Sequence, residues 1–244
     1  MFRVTGIAKK FGGLQVLRDL SLEFPTNKIT AILGPSGCGK TTLLKILAGL
    51  VKPDQGRVES TEKLSFLFQE PRLLPWLNIR QNLALILRDK LPAADLGNQI
   101  KSYLKAVGLA DYHRFYPGQL SGGMKQRAAM ARALSYPAEL LLMDEPFKSL
   151  DLKTRYQLVT DFMALWRRNP NTVVVVTHDV KEAVWLGDQI LLLSEKPARL
   201  VDKFDNKLLS EARMSGREAL QLEQEITRVL LKEPLPLDPI PPKT

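Results

Sequence analysis

A glycine-rich segment, GPSGCGKT at 34–41, holds the residues of this chain that are best suited to chemistry. It fits the pattern G-x-x-x-x-G-K-[ST], follows the apolar run ITAIL and opens the helical pattern TTLLKILAGL. Glycines let a backbone curl so that its N–H groups converge on an anion, and the following helix adds partial positive charge. The segment therefore predicts a loop that binds nucleotide phosphates, rather than a strand-to-helix turn without a ligand. The predicted contacts are Gly34, Pro35, Ser36, Gly37, Cys38, Gly39, Lys40, Thr41 and Thr42.

Two adjacent carboxylates in ELLLMDEP supply the acidic groups that such a loop needs for hydrolysis. Lys40 reaches the β- and γ-phosphates as a point charge, and the hydroxyl of Thr41 is a ligand for Mg²⁺. Asp144 ends a buried apolar run, and Mg²⁺ offsets the cost of burying its charge. Glu145 follows directly, so we predict that Asp144 serves the metal and Glu145 polarises the attacking water. A surface charge after a strand is the simpler interpretation of Glu145, but the proximity to the γ-phosphate favours catalysis.

A second phosphate cradle is present in LSGGMKQR at 120–127. Ser121, Gly122 and Gly123 precede the helical pattern MKQRAAMARAL, and small residues at the start of a helix leave backbone N–H groups free to bind an anion. One nucleotide needs one cradle, so a chain with two of them requires an explanation.

The elements that must position these residues belong to an α/β fold. Continuous apolar runs predict strands buried on both faces, as in a mostly parallel sheet, with helices between them. Alternating patterns at 2–7 and 14–24 predict an antiparallel β flank with one solvated face. Residues from about 76 to 135 carry helical patterns and no good strand, which predicts an inserted α-helical subdomain. The predicted strands are ITAIL at 29–33, LSFLF at 64–68, ELLLM at 139–143, TVVVV at 172–176 and QILLL at 189–193.

Composition narrows the class of protein. The 244 residues are 45% hydrophobic and 25% charged, which is ordinary for a soluble globular chain. No apolar run approaches the roughly 20 residues of a membrane span, and because MFRVTGIAKKF has no apolar h-region we expect no secretory signal. The single cysteine fits a reducing cytoplasm. The net charge of +9 is open to interpretation as a site for nucleic acid, an anionic membrane surface, a phosphate-rich ligand or a solvated basic surface. No basic run alternates with aromatics, so we expect no nucleic-acid partner.

In order and spacing, GPSGCGKT, a glutamine after a buried strand, LSGGMKQR, MDEP, SLD at 149–151 and VVTHD at 175–179 resemble the nucleotide-binding subunit of an ABC transporter. The resemblance covers residues 1–204, which we interpret as the ABC ATPase domain, and LSGG is its most specific motif. In that family two subunits dimerise head to tail, so that the LSGG of one faces the γ-phosphate held by the P-loop of the other. The resemblance therefore explains the two cradles: each chain carries half of two sites.

The resemblance also implies roles for residues outside the two cradles. Phe11 corresponds to the aromatic residue that stacks on adenine, although an ordinary core phenylalanine is the alternative. Gln69 would contact Mg²⁺ or the attacking water, and His178 the γ-phosphate. Asp151 would act in the loop that joins the two subunits. His113 lacks such a context, and we interpret it as a surface residue.

Three positions qualify this comparison. Lys148 and Ser149 stand where importer subunits usually have two small residues, and Phe11 replaces the commoner tyrosine.

Cys38 lies in the phosphate loop at a helix N-terminus and two residues from Lys40, so we expect a reactive thiol that bound MgATP would protect.

Two further segments, FQEPRLLPWLNIRQNL at 68–83 and THDVKEAVWLGDQILLLS at 177–194, resemble the nitrate/sulfonate/taurine class of importer ATPases. The resemblance implies separate permease subunits, indirectly a periplasmic or extracellular solute-binding protein, and a location on the cytoplasmic face of the membrane. Leu73, Leu74 and Trp76 are expected either to form the groove that receives the permease or to belong to the local core. The alternatives are an exporter or lipid-transport ATPase and, more remotely, a non-transport ABC ATPase. Residues 205–244 are expected to form a short helical and proline-rich tail.

Overall fold

The computed structural model of the protein describes residues 1–148, 150–209 and 212–231. Its elements are β1 (Phe2–Phe11), β2 (Leu14–Phe24), β3 (Ile29–Leu33), α1 (Lys40–Leu47), β4 (Gln55–Glu59), β5 (Leu64–Leu67), α2 (Ile79–Leu87), α3 (Ala93–Ala106), α4 (Gly122–Ser135), β6 (Leu140–Asp144), α5 (Leu152–Trp166), β7 (Thr172–Thr177), α6 (Val180–Leu186), β8 (Gln189–Leu193), β9 (Leu200–Asp205), α7 (Ala212–Ser215) and α8 (Arg217–Leu231). Two short 3₁₀ turns at Ala110–Tyr112 and Pro117–Gln119 lead into α4.

The main sheet has six strands in the order β5-β6-β7-β3-β8-β9. The first five are parallel, and β9 joins the edge antiparallel to β8. Every residue of β3, β6, β7 and β8 is buried, as continuous apolar runs predict for strands covered on both faces. The predicted parallel sheet is therefore confirmed.

The predicted antiparallel flank is confirmed as well, with β1 paired to β2. A third strand, β4, pairs with the other edge of β1 and was not expected from the sequence. Its residues, QGRVE, are mostly exposed and include a single apolar side chain, Val58, so they lack the apolar alternation of a half-buried strand. In β9 only Phe204 is buried, which explains why that strand was also missed.

Two hydrophobic layers hold the main sheet, one on each face. Ala31 and Leu33 of β3 pack in the layer that includes residues of α4, α5 and α6, whereas Ile32 between them packs in the layer with α1 and the antiparallel sheet. The period of two along the strand sends alternate side chains to opposite faces. The strand that leads into the phosphate loop is thereby fixed from both sides.

Residues 76–135, all of which the structure describes, contain helices and no strand. These helices bury a cluster of their own, with Leu83 of α2, Leu104 of α3 and Ala128 of α4 among its members. After residue 205, Ala219 and Ile226 of the amphipathic α8 are buried against the main core. The proline-rich end at 235–244 lies outside the described residues. Within those ranges we find no helix with both the length and the apolarity that crossing a membrane requires.

Candidate active site

The order of the strands gathers the predicted site at one edge of the main sheet. Gln69 follows β5, Glu145 follows β6, His178 follows β7, and the phosphate loop follows β3. These four parallel strands are consecutive in the sheet. Their carboxyl ends therefore lie side by side, which is where ligands bind in open α/β sheets.

The phosphate loop uses glycine where its backbone requires it. Gly37 has φ +76° and Gly39 has φ +126°, conformations that residues with a side chain rarely adopt. A Cβ on Gly39 would lie 2.8 Å from Cγ1 of Val16, so strand β2 leaves no room there. A Cβ on Gly37 would meet nothing within 4 Å, so the loop is open to solvent at that position.

The lysine of the loop is buried and bonded to the loop itself. Nζ of Lys40 donates to the carbonyl oxygens of Gly34 at 2.7 Å and Pro35 at 2.9 Å. Only 5% of the residue is exposed. These carbonyls hold the ammonium group within the curve of the loop, where an incoming phosphate could exchange with them.

Thr41 and Asp144 meet across the sheet edge. The Thr41 hydroxyl donates to Oδ1 of Asp144 at 3.0 Å, joining the first turn of α1 to the end of β6. Burial raises the pKa of Asp144 and the negative charge of Glu145 adds to the effect, although the hydrogen bond from Thr41 opposes it. A hydroxyl and a buried carboxylate at this separation are the hard oxygen donors that Mg²⁺ takes, so the residues present fit that ion.

Glu145 occupies a strained position directly after Asp144. Its φ is +42°, which is uncommon for a residue with a side chain, and its N–H donates to the carbonyl of Val176 in β7 at 3.0 Å. Oε1 lies 3.3 Å from Nδ1 of His178, and Oε2 lies 2.6 Å from Nζ of Lys148. Burial raises the pKa of Glu145, but Lys148 and His178 together outweigh it and leave the pKa below its ordinary value.

A hydrogen-bond network beside His178 was not predicted from the sequence. Asp179 accepts from Nη1 of Arg155 at 2.8 Å, and its oxygen Oδ1 caps the start of α6. Nη2 of Arg155 lies 3.4 Å from the carbonyl oxygen of Leu150, in the loop after Glu145. Arg155 thus connects that loop to the residue that follows His178. It stands one turn into α5, and no motif marks it in the sequence.

The same network extends to a buried carboxylate. Glu182 is 3% exposed and accepts from the hydroxyl of Thr177 at 2.7 Å, while the N–H of Asp179 donates to that hydroxyl at 3.0 Å. Burial raises the pKa of Glu182, against the opposing effect of the Thr177 hydrogen bond. His178 is therefore held between two residues with fixed backbones, although its own side chain is 42% exposed.

The second cradle opens α4 as predicted. Ser121 is the N-cap of that helix, and its hydroxyl accepts from the N–H of Met124 at 3.3 Å. A Cβ on Gly123 would lie 3.6 Å from Cδ2 of Leu150, and Nε2 of Gln126 donates to the carbonyl of Pro146 at 2.8 Å. The start of α4 therefore packs against the loop that follows β6.

A cavity of about 290 Å³ lies where these segments meet. It is lined by Gln69, Glu70, Pro71, Gly122, Lys125, Gln126, Glu145, Pro146, Lys148 and Leu150. The structure thus brings Gln69, Glu145 and Gly122 to one cavity. The sequence alone does not predict this proximity.

The remaining predicted contacts are at the surface. Phe11 is 50% exposed at the end of β1, with Nζ of Lys9 5.3 Å from the centre of its ring. Asp151 is the N-cap of α5, and the hydrogen bond from Thr154 lowers the pKa of Asp151. Ser149 lies outside the described residues. His113, interpreted from the sequence as a surface residue, is half-buried, with Nδ1 2.8 Å from the carbonyl oxygen of Ala110.

The expected reactivity of Cys38 is wrong. The residue is only 2% exposed and packs with core residues of the layer under α1. Burial raises the pKa of its thiol despite the opposing charge of Lys40. The loop turns the side chain of Cys38 inward, and the N–H of Cys38 donates to the carbonyl of Pro35 at 3.2 Å.

The segment after Gln69 divides between surface and core. Trp76 is 68% exposed, whereas Leu73 packs against both the main core and the helical cluster. Arg132 of α4 fixes this segment, with Nη1 donating to the carbonyl of Arg72 at 2.9 Å and Nη2 to that of Pro71 at 3.2 Å. The helix that begins with the second cradle therefore also holds the segment that precedes Trp76.

Comparisons with known proteins agree with this geometry. A family model described as "ABC transporter" matches residues 17–148. An aliphatic sulfonates import ATP-binding protein of Pseudomonas aeruginosa is 39% identical, over 97% of this chain and 87% of that protein. One of the same name from Pseudomonas syringae pv. syringae is 42% identical, over 98% and 89%.

Solved structures with the same fold include a dimeric bacterial ABC transporter cassette, which superposes with a TM-score of 0.76 at 29% identity and covers 86% of this chain and 100% of the cassette. A dimeric post-hydrolysis state of that cassette, bound to ADP and Pi, gives a TM-score of 0.75 at 28% identity with the same coverage. Nucleotide binding and the α/β architecture are thus common to the chain and its relatives. The family match, together with the identity and coverage of these relatives, shows that the chain belongs to the ABC transporter family.

Proposed function

We propose that this chain is the motor subunit of a prokaryotic importer and drives a separate membrane permease for aliphatic sulfonates or a related small oxyanion such as taurine or nitrate. As a member of its family it is an ATP-binding cassette and an ATP hydrolase. The observation that carries the proposal is the convergence of the phosphate loop, the pair Thr41–Asp144 and the pair Glu145–His178 at one sheet edge. The names of the curated relatives supply the solute class.

In the proposed reaction, water attacks the γ-phosphorus of ATP. A new P–O bond forms, the bond to the β–γ bridging oxygen breaks, and ADP and phosphate leave. Glu145 polarises the attacking water and accepts its proton, which then leaves with the phosphate product. His178, whose Nδ1 lies 3.3 Å from Oε1 of Glu145, orients the water against the γ-phosphate. Lys40 and backbone N–H groups of the phosphate loop bind the phosphates, Gln69 contacts the water or the metal, and Phe11 stacks on adenine.

Mg²⁺ is the metal that this site would take. Thr41 and Asp144 would hold it, with Gln69 as a third proposed ligand, and when bound it would neutralise charge on the phosphate oxygens. The raised pKa of Asp144 supports the assignment, because a buried carboxylate without a cation is costly. The chain's own contribution is the fixed pair of oxygens at 3.0 Å.

We further propose a head-to-tail dimer in which Ser121, Gly122 and Gly123 face the γ-phosphate bound by the partner subunit, with Asp151 in the joining loop. The dimeric state of a cassette with this fold supports the proposal. The free N–H groups at the start of α4 and its dipole suit an anion presented from outside the chain. Each ATP would then join two subunits, and hydrolysis would loosen them.

For the membrane partners, we propose that the exposed Trp76 and the neighbouring Leu74 receive a cytoplasmic segment of the permease, and that a solute-binding protein delivers the solute from the other side. The chain would then work at the cytoplasmic face of the membrane.

We place the ATPase domain at 1–204, its helical subdomain at about 76–135 and the appended tail at 205–244. The packing of 76–135 around a cluster of its own supports the inner boundary.

The test is ATP hydrolysis and import by the complete transporter, reconstituted in vesicles with its permease and solute-binding protein. Glu145→Gln should keep ATP binding, lose turnover by about 10²-fold or more and accumulate the ATP-bound dimer. Uptake of labelled taurine, an alkanesulfonate and nitrate should be compared in the same vesicles. Near-normal hydrolysis by Glu145→Gln would contradict the catalytic assignment. Hydrolysis without inward uptake of any of the three would favour the exporter or lipid-transport alternative.

A further inference from the structure

Both carboxylate oxygens of Glu145 are engaged by cationic or polar side chains. Oε1 lies 3.3 Å from Nδ1 of His178, and Oε2 lies 2.6 Å from Nζ of Lys148. The contact with Lys148 is an ion pair whose angles fall short of a hydrogen bond, and among residues 1–148, 150–209 and 212–231 no other group donates to this buried oxygen. In this state His178 and Lys148 compete with water for the two oxygens of the carboxylate.

The ion pair is built by the turn that follows β6. Lys148 is three residues beyond Glu145, and its N–H lies 3.3 Å from the carbonyl oxygen of Glu145. Phe147, between them, is fully buried and anchors the turn to the main core. The side chain of Lys148 is 44% exposed and that of Glu145 only 12%, so the lysine covers the carboxylate from the solvent side.

The same turn is connected to the surfaces that a second subunit would contact in the proposed dimer. Leu150, two residues on, contacts the start of α4 near Gly123 and bonds to Arg155 through its carbonyl. Asp151 follows at the surface. A partner subunit that engages Asp151 or the start of α4 would therefore act directly on the turn that carries Lys148.

We propose that Lys148 is a positioning residue that holds the Glu145 carboxylate while the subunit is unassembled and releases it when the ATP-bound dimer forms. The inference rests on the proposed function, and it adds a restraint on hydrolysis by the lone subunit. Half-exposed ion pairs are weak enough to be broken by assembly, and their loss changes an equilibrium by about two- to fivefold. Because the ion pair must break on assembly, Lys148 would also weaken the closed dimer by about the same two- to fivefold factor.

The opposite role for this lysine is a cation that stabilises charge on the transferred phosphoryl group, as other lysines do in phosphoryl transfer. The geometry favours the restraint. Lys148 points at Oε2 from the solvent side, whereas Lys40 already lies inside the phosphate loop. The two roles predict changes of opposite sign when Lys148 is removed.

The experiment uses the full chain alone with MgATP and with the non-hydrolysable analogue MgAMP-PNP. For Lys148→Ala we expect kcat to rise about two- to fivefold with little change in KM, and the AMP-PNP dimer to tighten by a similar factor. Lys148→Arg should restore wild-type values, because arginine keeps the ion pair. In a Glu145→Gln background the Lys148→Ala substitution should leave the AMP-PNP dimer unchanged, since the neutral amide has no ion pair to lose.

Lys153→Ala is the matched control, because it removes the same charge from an exposed position five residues away. It should leave both measurements unchanged. A fall in kcat for Lys148→Ala, or equal effects of Lys148→Ala on dimerisation in both backgrounds, would overturn the inference. Wild-type protein that neither binds AMP-PNP nor hydrolyses ATP would instead contradict the proposed function itself.

Discussion

The hydroxyl of Thr41 donates to the carboxylate of Asp144 at 3.0 Å across a sequence separation of 103 residues. The contact exists because α1 begins at the carboxyl end of β3 while Asp144 ends β6, with only β7 between those strands. The phosphate loop and the acidic strand end thus share one hydrogen bond. This bond is the structural basis of the proposed metal site.

Asp144→Asn should separate stability from function. Burial raises the pKa of Asp144, so its charge is unfavourable in the folded state, and the amide oxygen can still accept from Thr41. We expect a melting temperature no lower than that of the wild type, with turnover reduced by about 10²-fold or more. Calorimetry of ATP binding with Mg²⁺ and with EDTA should show that the variant no longer gains affinity from the metal. A variant with normal turnover would show that Asp144 does not serve the metal.

Arg155 should act on hydrolysis from a distance, because it connects Leu150 in the turn after β6 with Asp179 beside His178. Arg155→Ala should lower kcat by about tenfold while leaving KM for ATP nearly unchanged, since no phosphate contact is lost. It should also lower the free energy of unfolding by about 1 kcal/mol, because two partly buried acceptors lose their partner. Exposed Arg167, at the end of α5, is a control whose replacement by alanine should change neither quantity. A fall in ATP affinity of the same size as the fall in kcat would show that Arg155 acts on binding.

The two apolar residues on either side of Pro75 should behave differently. Trp76→Ala should spare the melting temperature and weaken copurification with the permease, because its side chain is exposed. Leu73→Ala should lower the free energy of unfolding by about 2 kcal/mol, because Leu73 packs against two hydrophobic clusters. Thermal melting and pull-down of the permease measure the two effects. If Trp76→Ala destabilised the chain as much as Leu73→Ala does, that result would contradict the proposed docking role of Trp76.

Much of the architecture follows from local sequence patterns. Runs such as ITAIL and TVVVV specify strands buried on both faces, and the glycines of GPSGCGKT specify a loop, because each pattern constrains its own backbone. The mostly exposed strands β4 and β9 depend instead on a neighbouring strand edge for their pairing. Nothing in their own residues indicates that edge.

The site shows the same division between local and tertiary information. Residue types and spacing predicted Thr41, Asp144 and Glu145, but not the ion pair of Lys148 or the bridge made by Arg155. Those contacts require the register of β6 against β7 and the path of the turn that follows β6. Cys38 is the converse case, since its neighbours in sequence suggested a reactive thiolate and the loop conformation buried it. We now expect maleimide to label native Cys38 slowly with or without MgATP.

Mixing two inactive variants tests the head-to-tail dimer most directly. Lys40→Ala disables the phosphate loop, Ser121→Arg blocks the second cradle, and each variant alone should lose ATP hydrolysis. If the cradles act between subunits, a mixed dimer pairs the intact loop of one chain with the intact Ser121 of the other, so the ATPase activity of the mixture should recover well above that of either variant. If both cradles serve the same chain, no combination restores a complete site, and a mixture as inactive as its two components would contradict the proposed dimer.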